Sequence, residues 1–450
     1  MLQPQGKRKG VAALHCKFRI KPWIFGILSA LVMLFLIQPK VCASESSEEF
    51  LYNENIYYQI NERDEIVITR SRASVTEACI PAAIDGMPVT EIQNNAFTGR
   101  TRLTKVVLPD TVTKIGDYAF FQCSRLDEVV IPETTQKIGW GILAETPWLV
   151  NQPEGCILAG NRIVIGYNGS STSVSIPEGA TAIAGRAFAE CESMMSVSIP
   201  GSVREIGGLA FTGCSQLTEC TIPEGVVSIG EYAFNWCVAL QKVEIADSVA
   251  SIGNHAFVGC SSLISVVLPK GLTRIENAVF CGCTNLKKIT IPSTVTDIGS
   301  DAFYGCVSLN EITLRSTVLS MGDGAFGACT GLQRLTIFNN TCKISDTEET
   351  IAENTAICGL RESTAQIYAR NYGRQFELAS PLPGDMDENG KAELCDASSI
   401  LMLYAQEAAG VISSPGAYQA LAGDVNGDGV LDIADASLLL KKYAESAAGK

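Results

Sequence analysis

Two short acidic segments near the end of the chain hold the residues best suited to binding a metal ion. Each segment is a twelve-residue stretch with Asp, Asn or Glu at positions 1, 3, 5, 9 and 12 and glycine at position 6. Ca²⁺ takes about six to eight hard oxygen ligands, and a loop turned at a glycine presents them, with position 7 contributing its backbone carbonyl. We therefore predict two Ca²⁺ ions. The predicted ligands are Asp385, Asp387, Asn389, Lys391, Glu393 and Asp396 in loop 1, and Asp424, Asn426, Asp428, Val430, Asp432 and Asp435 in loop 2.

Each loop is followed by a segment with helical periodicity. Apolar residues recur there at i, i+3, i+4 and i+7, which places them in one stripe on a helix. The stripe residues are Ala397, Ile400, Leu401 and Tyr404 after loop 1, and Ala436, Leu439, Leu440 and Tyr443 after loop 2. The two loops begin 39 residues apart, so the unit is duplicated. The stripes either pack the two halves together or contact a partner, and the spacing leaves both alternatives open.

This duplicated loop–helix unit resembles a type I dockerin over residues 384–445. The resemblance implies a module that attaches the chain to a cohesin module of a scaffold protein. In that family, loop positions 10 and 11 and the start of the following helix carry cohesin specificity. The corresponding residues here are Leu394, Cys395, Leu401, Met402, Ile433, Ala434, Leu440 and Lys441. The Ser-Thr pair that is frequent in the family is absent, and the two halves differ, which disfavours two equivalent binding modes and leaves partner choice open.

The middle of the chain repeats every 23 residues. The unit contains a short alternating strand pattern, a strand-ending Pro, an Ile-Gly pair, an Ala-Phe pair and a Cys. One series of this repeat is Phe188, Phe211, Phe234, Phe257, Phe280, Phe303 and Phe326, and a second is Cys191, Cys214, Cys237, Cys260, Cys283, Cys306 and Cys329. A single coil cannot bury its own apolar residues, whereas coils stacked about 4.8 Å apart can. The repeat therefore predicts a solenoid.

The repeat pattern resembles the BspA-like leucine-rich repeats over about residues 75–340. The predicted fold class is a repeat solenoid of the leucine-rich-repeat type with a parallel β-sheet face, plus a small all-α calcium-binding dockerin domain. Three residues depart from the unit: Ala246 and Arg315 replace the strand-ending Pro, and Glu276 replaces the usual Gly. Residues 147–171 predict a small hairpin inserted into the array.

The order of these patterns divides the chain into five segments. They are residues 1–43, a signal peptide or signal anchor; 44–102, an N-terminal cap and first repeat; 103–340, the solenoid; 341–380, a C-terminal cap and linker; and 381–450, the dockerin with its two calcium loops. The first segment holds seven Lys or Arg and no acid, then an apolar run and a small-residue cleavage pattern. We expect an entry hairpin at 50–70, a short helix at 363–372, a last strand at 375–378, and a solenoid and C-terminal module that fold independently.

Charge and cysteine placement limit the partners. The whole chain carries −14, and without the seven positive charges of the first segment it carries −21, which argues against nucleic acid or anionic membrane. Fifteen of the 17 cysteines follow Ala43, and their regular spacing indicates buried free thiols in a ladder, although neighbours one coil apart leave disulfides open in principle. We expect a monomer.

The exposed strand positions bear on the solenoid's ligand. They are Lys105, Glu128, Ser196, Glu219, Lys242, Ser265, Lys288, Glu311 and Arg334. Their signs are mixed and none is aromatic, which favours a protein over a glycan as the unknown ligand, while a face without any ligand stays an alternative.

Nothing in the chain assembles a nucleophilic catalytic set. Of the two histidines, His15 lies in the predicted signal segment. His255 occupies a repeat position that varies between coils, which indicates that its side chain is exposed to solvent. The favoured interpretation is a non-catalytic binding or structural subunit, secreted by a bacterium and docked on a free or cell-surface multi-enzyme complex that degrades polysaccharide. A cryptic carbohydrate-active hydrolase of a cellulosome, which needs only two carboxylates, and a cell-surface adhesin are the alternatives.

Overall fold

The computed structural model describes residues 48–389, 391–412 and 414–447. The predicted signal segment at 1–43 and the loop 1 glycine, Gly390, lie outside the described residues. Residues from Glu49 onward form one compact unit. Within the described ranges, no helix combines the length and apolar character needed to cross a bilayer.

The solenoid is built on two ladders of short strands, one on each side of every coil. Because strand pairs such as β17 with β19 are parallel and in register, equivalent residues of neighbouring coils lie side by side. The first ladder contains β4 (Glu77–Cys79), β7 (Lys105–Val107), β9 (Glu128–Val130), β13 (Ser173–Ser175), β15 (Ser196–Ser198), β17 (Glu219–Ile222), β19 (Lys242–Ile245), β21 (Ser265–Val267), β23 (Lys288–Thr290), β25 (Glu311–Leu314), β27 (Arg334–Ile337), β29 (Ala356–Gly359) and β30 (Phe376–Leu378). The repeat solenoid with its parallel strand face is therefore confirmed.

The second ladder runs along the opposite edge of the core in strands of mostly two residues. It contains β6 (Met87–Ile92), β8 (Lys114–Ile115), β10 (Lys137–Ile138), β12 (Ile163–Asn168), β14 (Ala182–Ile183), β16 (Glu205–Ile206), β18 (Ser228–Ile229), β20 (Ser251–Ile252), β22 (Arg274–Ile275), β24 (Asp297–Ile298), β26 (Ser320–Met321) and β28 (Lys343–Ile344). A glycine follows most of these strands, and close backbone approach explains it: a Cβ on Gly230 would lie 2.4 Å from the amide nitrogen of Gly208. Glu276 takes this position after β22, and no strand pairing joins β22 to β20 of the preceding coil among the described residues.

The N-terminal end begins with antiparallel strands. The strands are β1 (Phe50–Tyr52), β2 (Ile56–Ile60) and β3 (Ile66–Ser71), and the small β5 (Ala83–Ile84) adds to β6. β2 and β3 pair as a hairpin, which confirms the predicted entry hairpin, and β3 then pairs in parallel with β6. Strand β3 of the hairpin thus extends the second ladder at its N-terminal end.

The irregular segment after residue 147 is a short helix followed by a hairpin. Helix α1 (Pro147–Val150) is capped by Thr146, and β11 (Gly155–Ala159) pairs antiparallel with β12. The predicted hairpin is confirmed. Its second strand also pairs in parallel with β14, so β12 belongs to the ladder as well. The inserted segment therefore begins with a helix outside the ladders and ends with a strand that belongs to the second ladder.

A column of phenylalanine rings fills the centre of the solenoid. From Phe188 to Phe326 each ring stacks on the next, with centroids 5.0–5.7 Å apart and interplanar angles of 4–14°. All these rings are fully buried. The stacking gives each coil a contact that only a neighbouring coil can supply.

The cysteine ladder lies beside the phenylalanine column. From Cys214 to Cys329 each ladder thiol donates a hydrogen bond to the carbonyl of a phenylalanine 26 residues earlier, as Cys260 does to Phe234 at 3.2 Å and Cys283 to Phe257 at 3.3 Å. The described cysteines are free, as the sequence predicts. Burial raises the pKa of Cys260 to about 12, so the thiol stays protonated and inert.

The C-terminal part consists of a cap and four helices. Helix α2 (Thr364–Asn371) has Ser363 as its N-cap, follows a 3₁₀ turn at Glu348–Thr350, and leads to β30, as the sequence predicts. Beyond it lie α3 (Leu394–Ala408), α4 (Ala417–Gly423) and α5 (Ile433–Ala447). Helices α3 and α5 are the two predicted from the apolar stripes, whereas the sequence analysis missed α4.

The burial of the cysteine ladder leads to a labelling prediction. With a pKa of about 12, Cys260 carries roughly a thousandfold less thiolate at pH 8 than an ordinary thiol, and it is also inaccessible. We expect iodoacetamide to modify exposed Cys79 and Cys395 in the native chain and the ladder cysteines only after denaturation, as read by peptide mass spectrometry. Native labelling of Cys260 at the rate of Cys79, or a Cys–Cys crosslinked ladder peptide, would contradict this account.

Candidate metal loops and partner surface

The aspartate at position 12 of each loop organises the loop from inside. Asp435 is fully buried and accepts hydrogen bonds from the amides of Val425 (2.9 Å), Asn426 (3.1 Å) and Asp432 (2.9 Å). Asp396 is buried in the same way and accepts from the corresponding amides of loop 1. The carboxylate therefore joins the start of each loop to its end.

The carboxylate of Asp424, at position 1 of loop 2, lies inside a tight turn of the backbone. Asp424 accepts from the amides of Gly427 (2.7 Å), Asp428 (3.0 Å) and Gly429 (2.8 Å). Gly429, at position 6, has a φ of +85°, a conformation that a side chain would strain. The backbone thus turns around Asp424, while Asn426 and Asp428 are exposed and Asp435 is buried.

Loop 1 has the same hydrogen-bond pattern with one difference in its backbone. The amide of Asn389 donates to Asp385 at 2.9 Å and to Asp387 at 3.1 Å. Asp385 is buried, like Asp396. Position 4 is the left-handed Glu388, with a φ of +60°, where loop 2 has Gly427. Loop 1 thus places a bulky acid at a position where glycine is the unstrained choice.

The donor set of both loops suits a hard divalent cation. Carboxylate and amide oxygens dominate, and buried carboxylates repel one another unless a cation or hydrogen bonds compensate them. At position 7, Lys391 and Val430 can offer a carbonyl; the Lys391 ammonium lies 3.6 Å from the carboxylate of Glu393, itself a predicted ligand. Asp387, Asp396 and Cys395 also lie within 4.8 Å of one another, but a thiol is a soft ligand that Ca²⁺ does not favour.

The two helical stripes divide between core and surface. Ala397, Ile400, Ala436 and Leu439 are buried against each other, with Met386, Tyr418, Ala422 and Val425 completing the small core. The other half of each stripe, Leu401, Tyr404, Leu440 and Tyr443, is exposed. Packing between the two halves, the first alternative left by the sequence, therefore holds for half of each stripe, and partner contact by the exposed half stays a prediction. The missed helix α4 supplies Tyr418 and Ala422; its only sequence signal is an apolar run between two glycines.

The residues predicted to contact a partner lie on the surface of α3 and α5. Those residues, Leu394, Cys395, Leu401, Met402, Ile433, Ala434, Leu440 and Lys441, are all exposed. Met402 is 57% exposed and Ile433 is 59% exposed, which is unusual for large apolar side chains. An exposed cluster of this kind is typical of a protein-interaction surface. We call these eight residues the helix-start surface.

Loop 1 is packed against the last coils of the solenoid. The Arg315 guanidinium donates to the carbonyls of Asp387, at 2.6 Å, and Glu388. The Glu388 carboxylate accepts from the amide of Ser316 at 2.9 and 3.0 Å. Burial raises the pKa of Glu388, with the Ser316 hydrogen bonds opposing this shift. The solenoid and the C-terminal module are therefore in direct contact through the consensus-breaking Arg315, and their independent folding stays a prediction.

Acids and bases are neighbours at several exposed strand positions of the first ladder. Lys105 lies opposite Glu128, with Nζ 2.5 Å from the carboxylate, and the register places Glu219 beside Lys242 and Glu311 beside Arg334. Each acid at these positions therefore faces a base, and no pair of facing carboxylates occurs among them. This arrangement is unsuited to the two-carboxylate chemistry of glycoside hydrolysis.

His255 is half-buried, so the solvent position predicted for it is wrong. Its ring stacks on Tyr232 with centroids 4.5 Å apart, and its buried Nδ1 has no hydrogen-bond partner within the described residues. Burial lowers the pKa of His255, which keeps it neutral. Its role is packing between neighbouring coils.

Comparison with known proteins agrees with this architecture. The family model described as the BspA type leucine rich repeat region matches in six copies, over residues 89–151, 166–266 and 250–348, more than half of the chain. No curated protein matches. Among solved structures, a leucine-rich repeat protein from Bacteroides ovatus is 24% identical, with 73% of this chain and 99% of that chain covered and a TM-score of 0.32.

Two further solved structures are similar over most of their length. A leucine rich cell surface protein from Faecalibacterium prausnitzii is 26% identical, covering 68% of this chain and 97% of its own, with a TM-score of 0.29. A leucine-rich repeat protein from Eubacterium ventriosum is 21% identical, covering 63% and 95%, with a TM-score of 0.41.

The backbone bonds of Asp435 lead to a prediction about the metal-free chain. Asp435→Ala removes the acceptor of three amides, and charge-assisted hydrogen bonds contribute about 1.5–3 kcal/mol each at most. We expect the helical signal of the C-terminal module to melt at lower temperature in chelator, followed by circular dichroism at 222 nm. The control is Asp428→Ala, whose carboxylate is exposed and should cost under about 1 kcal/mol. Equal melting of both variants would show that Asp435 acts only through a metal.

Proposed function

We propose that this chain, which belongs to the BspA-type leucine-rich repeat family, is a non-catalytic binding subunit that attaches to a cohesin-bearing scaffold through a Ca²⁺-dependent dockerin module. The observation that carries the proposal is the duplicated loop–helix unit. In each copy a buried Asp at position 12 accepts hydrogen bonds from amides at both ends of the loop, and the adjoining helix presents exposed apolar residues. The loops would supply the metal sites and the helix-start surface the contact with the partner.

The loops explain why docking would depend on metal. In each one the carboxylates at positions 1 and 12 are held within a single turn, and the acids around them have like charge. Ca²⁺, when bound, neutralises this charge and fixes the loop by coordinating its oxygens. Asp396 and Asp435 each lie in the first turn of a helix, so any force that orders the loop also orders the helix start. The partner-binding residues Leu394 and Ile433 begin those same helices.

The helix-start surface has the chemistry of a protein-binding site. Large apolar residues occupy it in both halves, and Lys441 adds a positive charge only to the second half. Burying such side chains against a partner stabilises a complex by about 25 cal/mol per Å² of apolar surface, before the costs of association. The asymmetry at Met402 and Lys441 favours one orientation of a partner over its reverse.

The solenoid is proposed as the surface that presents a ligand-binding face. The charges of mixed sign along the first ladder fit a protein ligand with complementary charge better than a glycan, for which aromatic platforms are missing at those positions. Secretion by a bacterium and a place on a polysaccharide-degrading complex follow from the docking module in this proposal. A cell-surface adhesin, with the solenoid as the only functional surface, is the second candidate, and it is the one to adopt if the module binds metal but no cohesin.

Calcium binding tests the first part of the proposal. We expect calorimetric titration of the full chain to show two Ca²⁺ per chain, and Asp385→Ala and Asp424→Ala each to remove one, because position 1 supplies a ligand in each loop. The double variant should bind none, while its solenoid melting transition remains. The matched control is Asp64→Ala, an exposed acid of the N-terminal cap. A wild-type chain that takes up no Ca²⁺ would refute the calcium proposal.

Partner binding is tested separately from metal binding. Met402→Glu combined with Ile433→Glu places charge in the helix-start surface, which we expect to weaken cohesin binding at least about a hundredfold because an unpaired charge is costly to bury. The Ca²⁺ titration should not change, since neither side chain is a predicted ligand. Val267→Glu, at a 74% exposed solenoid position, is the control. If no member of a cohesin panel binds the Ca²⁺-loaded wild type, the scaffold proposal fails and the adhesin alternative stands.

A further inference from the structure

Loop 1 and loop 2 differ in what surrounds them. The carbonyls of Asp387 and Glu388 in loop 1 accept hydrogen bonds from Arg315 of the solenoid, and the Glu388 carboxylate accepts from the amide and hydroxyl of Ser316. In the part of the chain that the structure describes, no hydrogen bond or ion pair joins loop 2 to the solenoid. One of two similar loops is therefore held by the solenoid and the other is held only by its own module.

Two residues depart from the local rules at this contact. Arg315 occupies the strand-ending position that Pro269 and Pro292 fill in the preceding coils. Glu388 takes up a left-handed backbone conformation, with a φ of +60°, at the position where loop 2 has Gly427. Each residue is locally less favourable than the proline or glycine found at the equivalent position. Each makes hydrogen bonds to the other module that proline or glycine could not make.

A second contact fixes the same loop from the side of α4. The ring of Tyr418 packs edge-to-face on Phe338 of the solenoid, with centroids 4.7 Å apart, and its hydroxyl donates to the carbonyl of Asp385 at 3.0 Å. Gln419 reaches Ser316 at 3.4 Å. The backbone of loop 1 is thus held at Asp385, Asp387 and Glu388, three of its first four positions.

We infer that the contact between loop 1 and the solenoid is thermodynamically coupled to metal binding by loop 1. Loop 1 is then a site shared by the two modules, while loop 2 is autonomous. This inference rests on the proposed calcium binding. A contact that restricts loop 1 to one backbone conformation lowers the ordering cost of binding. By reciprocity, metal in loop 1 strengthens the contact with the solenoid and so fixes the direction in which the helix-start surface points.

The positive charge of nearby basic residues opposes this strengthening of metal binding. The direction in which Ca²⁺ affinity changes when they are removed therefore shows which effect dominates. The positive guanidinium of Arg315 lies next to loop 1 and by itself disfavours a second cation. Lys288 lines the same cleft, of about 560 Å³, together with Asp385 and Glu388. If charge dominates, removing either basic residue strengthens Ca²⁺ binding. If the contact dominates, removing Arg315 weakens it and removing Lys288 does not.

The experiment is a set of Ca²⁺ titrations on the full chain in two backgrounds. In Asp424→Ala only loop 1 can bind, and in Asp385→Ala only loop 2 can bind. We expect Arg315→Ala to weaken binding about tenfold in the first background, a typical coupling, and to leave the second unchanged. Lys288→Ala in the first background should not weaken binding. Unchanged or tighter loop 1 binding in Arg315→Ala overturns the inference.

A second variant excludes a trivial loss of folding. Arg315→Pro restores the residue of the preceding coils, so we expect the solenoid to melt as in the wild type while loop 1 loses the same affinity as in Arg315→Ala. If both backgrounds bind Ca²⁺ and neither Arg315 variant changes loop 1, the coupling fails and the calcium proposal stands. If neither background binds, the calcium proposal fails and the inference falls with it.

Discussion

Stacking between coils is the constraint on which the rest of this protein depends. No coil encloses its own phenylalanine or cysteine: the ring of Phe257 lies between Phe234 and Phe280, and the thiol of Cys260 bonds to a carbonyl of the preceding coil. Such an array is stable only when its ends are covered. The entry hairpin covers one end, and α2 with β30 covers the other.

The same constraint made much of the solenoid predictable. Because equivalent residues must align from coil to coil, the period, the strand face and the buried free thiols could all be inferred from spacing alone. The departures were less informative. Arg315, which stands where the repeat has Pro, contacts residues about 70 positions later in the chain, as its hydrogen bond to Asp387 shows. No local sequence pattern predicts such a contact. His255 was misjudged because its variable position is half-buried by Tyr232.

The candidate site likewise has features that could be inferred from the sequence and features that could not. The loop carboxylates were selected by their spacing, because a twelve-residue calcium loop supplies its ligands from fixed positions, and their role as ligands stays a prediction. Which half of each apolar stripe is buried could not be inferred, since Leu401 and Ile400 are adjacent in sequence and alike in chemistry, yet only Ile400 faces the small core. Helix α4 was missed for a related reason: its seven residues are too few for a clear helical period.

In the proposed function, the solenoid presents a ligand-binding surface and Ca²⁺ orders the docking module. Amide hydrogen exchange of the full chain, compared with and without Ca²⁺, tests this most directly because it reports on both parts at once. The account predicts slower exchange in residues 385–396 and 424–435 and at Ser316, with no change in the interior coils around Phe234 and Phe257. Identical exchange of both loops in the two conditions would contradict it.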